Sequence, residues 1–214
     1  PESGIALVPD ALSNDTAATL SGSGVTVWHA LYEVARVKSS DTVLTLGTGG
    51  VSSWGVLLAK AAGARVVVTS SSDEKLERMK SLGADVTINY RSNPDWGEAV
   101  MASTGHGATI VLENVGRRTL DQSMLACANN AMIVMIGTGR LPDDLPKMPG
   151  LYIKNLSMKA ISNGSRVMLE DMMRGVSSSG IQAVVDHTFD FSDAIKAFEF
   201  MARSTHVGKV VLHH

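Results

Sequence analysis

Thr42-Val43-Leu44-Thr45-Leu46-Gly47-Thr48-Gly49-Gly50-Val51 runs a strand-like segment straight into a glycine-rich turn. An apolar helical pattern follows at once through Val51, Trp54, Leu57, Leu58 and Ala61. That order sets unencumbered backbone N–H groups at the positive end of a helix dipole, where a pyrophosphate is held by geometry and partial charge without a basic side chain. Gly47 allows the tight turn, Gly49 lets the backbone approach a ligand, and Gly50 and Val51 complete the turn. Ser52 stands at the third fingerprint position, where Gly or Ala ordinarily gives close helix–strand packing. Glycine turns also cap ordinary strands, so the flanking strand and helix are what point to a dinucleotide site.

Composition fits one large core. The 214 residues are 44% apolar, and the formal net charge of −2, without any Lys/Arg cluster, argues against nucleic acid as the main partner. The single cysteine, Cys127, lies in a pattern read as helical (Leu120, Met124, Leu125, Ala128) and is expected to be a small buried hydrophobe. One cysteine excludes a disulfide framework, which points to a reducing compartment and a cytoplasmic location. No apolar run approaches a membrane span, and Pro1-Glu2-Ser3-Gly4 lacks a signal-peptide layout. Without an initiator Met, the chain is expected to be a piece of a longer protein, and His213-His214 are given no function.

Periods of two and near 3.6 alternate along the chain, which predicts strand–helix–strand units and a parallel sheet. Strands are expected at 42–46, 65–69, 86–89, 108–112, 131–136 and 156–161. Helices are expected at 25–37, 51–62, 73–82, 95–103, 118–128 and 166–176. Pro142, Pro146 and Pro149 mark 141–150 as a surface loop. After Gln182 the pattern becomes strand, helix (192–203) and last strand (208–212).

Combined in order, several motifs resemble the medium-chain dehydrogenase/reductase superfamily, in its quinone-oxidoreductase-like and alcohol-dehydrogenase-like branch. They are Gly24-Val-Thr-Val-Trp-His-Ala-Leu31, Gly47-Thr-Gly-Gly-Val51, Leu58-Ala-Lys-Ala-Ala-Gly-Ala64, Thr69-Ser-Ser-Ser-Asp-Glu-Lys-Leu76, Leu82-Gly-Ala-Asp85, Ile88-Asn-Tyr90 and Gly208-Lys-Val-Val-Leu212. The resemblance implies an α/β Rossmann fold with a doubly wound six-stranded parallel sheet in the order 3-2-1-4-5-6. It divides the chain into a connection from an N-terminal catalytic domain (1–24), a dinucleotide-binding domain (25–181) and a strand–helix–strand returning toward the catalytic domain (182–214). Without that domain the last strand is expected to be poorly supported.

The second strand ends in Ser70 and Ser71, where an NAD-selective site usually carries an acid for the ribose 2′-OH. Ser71 and Glu74 have capping-box spacing at the next helix. Hydroxyls at this strand end would not repel a phosphate. Lys75 and Tyr90 resemble the pair that holds the 2′-phosphate in quinone oxidoreductases, so NADP is expected over NAD. Alternatively Lys75 is a solvated helix residue and Tyr90 a strand-end aromatic, and Asp73 and Glu74 would soften the preference. The resemblance further implies that Thr26, Ile136, Gly137, Thr138 and Asn163 line the nicotinamide end. Asn114 closes the fourth strand; for Asn114 and Asn163 a turn role is the alternative. Arg203 reads as an exposed helix-end residue.

Zinc-dependent members take one ligand from the position of Gly22, which offers none, and the six His show neither HxxxH spacing nor a neighbouring Cys. No metal is therefore expected, and no residue stands out as a general acid. Leu156, not Lys, lies four positions after Tyr152, which disfavours Ser/Tyr/Lys chemistry. These readings imply hydride transfer to a quinone, an activated C=C bond or a carbonyl by a zinc-independent enzyme whose present chain alone would bind cofactor without turnover. The alternatives are a non-catalytic nucleotide-binding protein on the same fold and an enoyl-reductase module of a larger synthase. A homodimer is expected through the edge strand near 155–161, the alternative being a monomer whose edge Lys159 protects, with neither nucleic acid nor membrane as partner.

Overall fold

The computed structural model describes residues 4–137 and 149–214. Six parallel strands, β1 (Thr42–Leu46), β2 (Arg65–Ser70), β3 (Val86–Asn89), β4 (Ala108–Glu113), β5 (Cys127–Met135) and β6 (Ser157–Ala160), form one sheet in the order β3-β2-β1-β4-β5-β6. The order reverses between β1 and β4, so a crevice opens at the carboxyl ends of those strands.

Period-two burial on both faces explains why these segments are strands. Val43, Val66, Val68, Leu112 and Val134 enter one core with Trp54, Met79 and Met172, while Leu44, Leu46, Val67, Val111 and Ile133 enter the other with Val100 and Met124. Helices therefore cover both sides. They are α1 (Asn14–Thr19), α2 (Val25–Trp28), α3 (Gly50–Ala61), α4 (Asp73–Ser81), α5 (Trp96–Thr104), α6 (Leu120–Ala126), the short α7 (Pro149–Ile153) and α8 (Arg166–Ser179). The residues 141–148 of the expected proline-rich loop lie outside the described residues, and Pro149 and Gly150 already belong to α7.

Three local expectations need correction. The helix expected at 25–37 begins earlier: Ser13 caps α1 by accepting from the Thr16 N–H, and π-helical turns at Leu20–Gly24 and His29–Val34 flank α2. Leu20-Ser-Gly-Ser-Gly24 reads as a loop from propensity, yet Leu20 is fully buried, and a Cβ on Gly24 would stand only 2.8 Å from Met172 Cε. Second, Cys127 is not helical. It opens β5, because the chain turns extended there (φ −70°, ψ 141°). Between the pairs Ala108↔Cys127 and Ile110↔Met132 a bulge absorbs extra β5 residues, with Asn130 at φ 61°. The thiol is buried, donates to the Ser123 carbonyl at 3.1 Å, and is pushed up to about 12 by burial, Lys154 opposing and Glu113 reinforcing.

Third, the last strand has support. After β7 (Val185–Asp190), a 3-10 turn (Phe191–Asp193) and α9 (Ala194–Ala202), β8 (Lys209–His213) pairs in parallel with β7. Asp186 fastens this unit to α4, accepting from Arg78 (2.6 Å) and from the Val207 N–H (3.1 Å). Gly208, at φ 84°, bridges to Gly49.

The loss of α6 at Ala126 has a cation behind it. Lys154 Nζ donates to the carbonyls of Met124 (3.2 Å), Leu125 (2.6 Å) and Cys127 (2.7 Å), satisfying acceptors that a helix end leaves open. Lys154→Met keeps most of the side-chain volume and removes these donors. It is expected to cost about 1–2 kcal/mol, discounting for partial exposure. A melt followed by circular dichroism checks this, since about 1 kcal/mol corresponds to roughly 2–4 °C in a chain of this size. An unchanged midpoint would show that water replaces the ammonium at no cost.

Candidate functional site

The crevice is built on the turn after β1. Gly47 adopts φ 78°, and its N–H bonds to the Thr69 carbonyl at 2.7 Å, which locks the turn to β2. A Cβ placed on Gly47 or Gly49 would meet nothing within 4 Å, so the backbone there faces open space. Gly49 is the N-cap of α3 and has no side-chain cap, so the first N–H groups of this twelve-residue helix are left for an anion.

Ser52, at the third fingerprint position, is fully buried. Its hydroxyl donates to the Leu46 carbonyl (2.7 Å) and accepts from Asn114 Nδ2 (2.9 Å), tying the end of β1, the first turn of α3 and the end of β4 together. Asn114 has no left-handed backbone, so the turn reading does not describe it. Its Oδ1 is buried without a partner among the described residues, an acceptor that a ligand donor would satisfy. Beside it the Glu113 carboxylate is fully buried and accepts from the Val115 and Gly116 N–H groups and from Thr119 and Ser123. The Glu113 carbonyl accepts from Ile136 N (2.8 Å) and Gly137 N (3.0 Å), which folds the segment after β5 against β4. A Cβ on Gly137 would overlap the Asn114 carbonyl, so only glycine permits this approach. Thr138 lies outside the described residues.

Two further expected residues meet. Thr26 Oγ1 donates within 3.0 Å of Asn163 Oδ1 and within 2.8 Å of the Gly22 carbonyl. His29 Nδ1 lies 2.6 Å from the Asn163 carbonyl, so Asn163 is held from two helical turns at once. Asn163 too lacks a left-handed backbone.

At the other end, β2 and β3 stop side by side, with Ser70 opposite Asn89 and the Tyr90 N–H on the Ser70 carbonyl at 3.0 Å. The N-cap of α4 is Ser72, whose hydroxyl accepts from Lys75 N at 3.4 Å, so the expected Ser71–Glu74 capping box does not form and Ser71 is released from that task. A cavity of about 240 Å³ opens here between Ser71, Lys75, Arg91, Ser204 and Thr205, with Arg78 and Glu74 at its wall. Lys75 Nζ donates to the Ser204 carbonyl. Ser70 is buried in β2 and Tyr90 stands beside the cavity, 42% exposed; neither lines it. Arg203 is exposed and outside it. Arg91 was not singled out from the sequence, although a cation directly after a strand-end Tyr was a usable signal; Ser204 and Thr205 had none, since only the folded C-terminal segment brings them here.

Larger clefts lie elsewhere, including one of about 480 Å³ beside β3, where Asp73 and Glu77 outnumber the one cation, Lys80. Among the described residues no three His, Cys, Asp or Glu side chains form a group able to hold a metal ion. No helix among them is long and apolar enough to cross a membrane. An open glycine turn, a helix N-terminus without a cap and an orphaned Asn114 acceptor, with a cavity one strand away, together fit a dinucleotide.

Comparison with known proteins agrees. Residues 50–178 match the family model described as zinc-binding dehydrogenase. A zinc-type alcohol dehydrogenase-like protein of Schizosaccharomyces pombe is 40% identical over 219 residues, covering 99% of this chain and 63% of its own length. A phenolphthiocerol/phthiocerol polyketide synthase of Mycobacterium tuberculosis is 28% identical over 96% of this chain, which corresponds to 10% of that protein. A solved structure described as an NAD-dependent alcohol dehydrogenase superposes with a TM-score of 0.91 at 31% identity, over all of this chain and 63% of the other. The chain thus spans less than two thirds of the yeast relative, and it belongs to the zinc-binding dehydrogenase family of the medium-chain dehydrogenase/reductase superfamily.

Proposed function

We propose that this chain is the cofactor-binding part of an NADPH-preferring oxidoreductase that passes hydride to a quinone, an activated C=C bond or a carbonyl, without zinc and in the cytoplasm. The carrying observation is the open glycine turn beside β1 together with the cavity at the adjoining strand ends, where Lys75, Arg78 and Arg91 outnumber the one carboxylate, Glu74. The reduced nicotinamide supplies the hydride when bound. The protein's work is positioning. The N–H groups of α3 seat the pyrophosphate, Ser71, Lys75 and Arg91 receive the 2′-phosphate, and Asn114 Oδ1 accepts a hydrogen bond from the far half. Thr26 and Asn163, already paired, wall the nicotinamide end. The mycobacterial synthase relative favours a module of a larger synthase as the second reading, and the name of the solved neighbour makes NADH the rival cofactor.

Calorimetric titration is expected to show tighter binding of NADPH than of NADH. Lys75→Ala should weaken NADPH about five- to tenfold and leave NADH nearly unchanged, because only the former places a dianion there. Ser71→Asp, at the cavity wall, should reverse the order, since a carboxylate there accepts from a 2′-OH and repels a 2′-phosphate. Equal affinities in the wild type, or NADH tighter, remove the NADPH assignment.

We also propose a homodimer through β6. All four residues of β6 are exposed at the sheet edge, and Tyr152 and Ile153 just before it are each 81% exposed. An antiparallel copy across a two-fold axis would pair the open N–H and C=O groups and cover these side chains. Light scattering should give about twice 22.6 kDa at micromolar concentration, and Met158→Asp, which sets like charges across the axis, should return it to the monomer. A monomeric wild type excludes this interface.

A further inference from the structure

His206 lies in the segment that links the strand-end cavity to the glycine turn. Ser204 and Thr205 line the cavity beside Lys75, and Gly208 donates to the Thr48 carbonyl at 2.9 Å. The backbone on either side of the ring is fixed. Lys75 Nζ donates to the Ser204 carbonyl, while Val207 is fully buried with its N–H on Asp186 at 3.1 Å. The imidazole between these anchors has work left undone: its Nδ1 is buried without a hydrogen-bond partner among the described residues. Such an atom is costly in either protonation state unless the surroundings favour one of them. Charges from three elements face it. The Asp186 carboxylate of β7 favours a proton on the ring, and the Lys75 ammonium of α4 and the Lys209 ammonium of β8 oppose one. Burial is the largest influence and also opposes, which holds the pKa of the ring below the ordinary histidine value. Arg78 of α4 and His187 of β7 share Asp186, at 2.6 and 3.4 Å, and Arg91 stands at the cavity. From α9 comes the uncharged Phe200 ring, 6.3 Å away.

A phosphate dianion received by Lys75 reverses this balance. It offsets the ammonium that opposes protonation and brings negative charge of its own, so the ring that was neutral gains a proton. We infer that His206 is the proton-linked residue of the nucleotide site: NADPH is taken up together with one proton from solvent, which this imidazole accepts. The inference rests on reading Lys75 as the partner of the 2′-phosphate. The direction of the pH dependence follows from the two states of the ring. The free ring titrates low and the occupied one higher, so the linkage tightens NADPH binding as pH falls through the interval between them.

The test titrates the whole chain with NADPH at pH 7 in two buffers of unequal ionisation heat, which counts the protons taken up. Wild type should take up about 0.3 proton or more beyond His206→Gln. The 2′-phosphate itself titrates near pH 6 in both proteins, so its contribution drops out of the difference. 2′-AMP, which carries that phosphate alone, should reproduce the effect. A second measurement needs no variant to fold well. The imidazole C–H resonance of His206, assigned as the one absent from His206→Asn or His206→Gln, should titrate at higher pH with 2′-AMP bound than without. Equal proton counts in wild type and variant, with NADPH binding intact, overturn the inference alone. A resonance whose midpoint stays put or falls on binding does so too. Wild-type protein that binds neither NADPH nor 2′-AMP would take down the reading of Lys75 and the inference with it.

Discussion

β1 is buried on both faces along its whole length, and the rest of the molecule is arranged around that constraint. A strand with no solvent face has only its ends available for chemistry, and its neighbours β2 and β4 must be parallel to be reached by helical crossovers. The chain leaves β1 through Gly47 because only a left-handed residue turns it sharply enough to start α3 over the sheet. Ser52 then bonds back to the last carbonyl of β1, and Asn114 bonds to Ser52. The glycine turn, the first helix turn and the end of β4 are therefore one hydrogen-bonded unit. Such pre-organisation lowers the ordering cost of binding.

Much of this was legible in the residues. Val-Leu-Thr-Leu before Gly-Thr-Gly-Gly, and Val66-Val67-Val68 before three serines, announce buried parallel strands with a polar end, and the strand order follows from the family resemblance. Ser52 was legible as an oddity but not as a solution. A hydroxyl where glycine is usual looks like a packing defect until its two partners are seen.

Other features were hidden because tertiary partners decide them. The α6–β5 boundary depends on Lys154, nearly thirty residues later in the chain, drawing three carbonyls onto one ammonium. Spacing chose Ser71 over Ser72 as the cap of α4, and both can serve; the backbone angle at Ser72 decides. The π turns around α2 go against local propensity and persist because Leu20, Val25 and Leu31 gain complete burial. Arg91, Ser204 and Thr205 join the site only because β7 and β8 fold as a pair and Asp186 holds them to α4. Patterns of two and 3.6 carry no information about such distant docking.

The bridge between Gly208 and Gly49 joins the end of the chain to the turn near its beginning. Occupancy and C-terminal order are then linked functions, and whatever stabilises the turn by mass action also stabilises β8. A ligand at a hundredfold excess over its Kd adds about 2.7 kcal/mol to the bound form. Part of that protection would appear in the amides of the last strand, far along the sequence from the glycines of the turn.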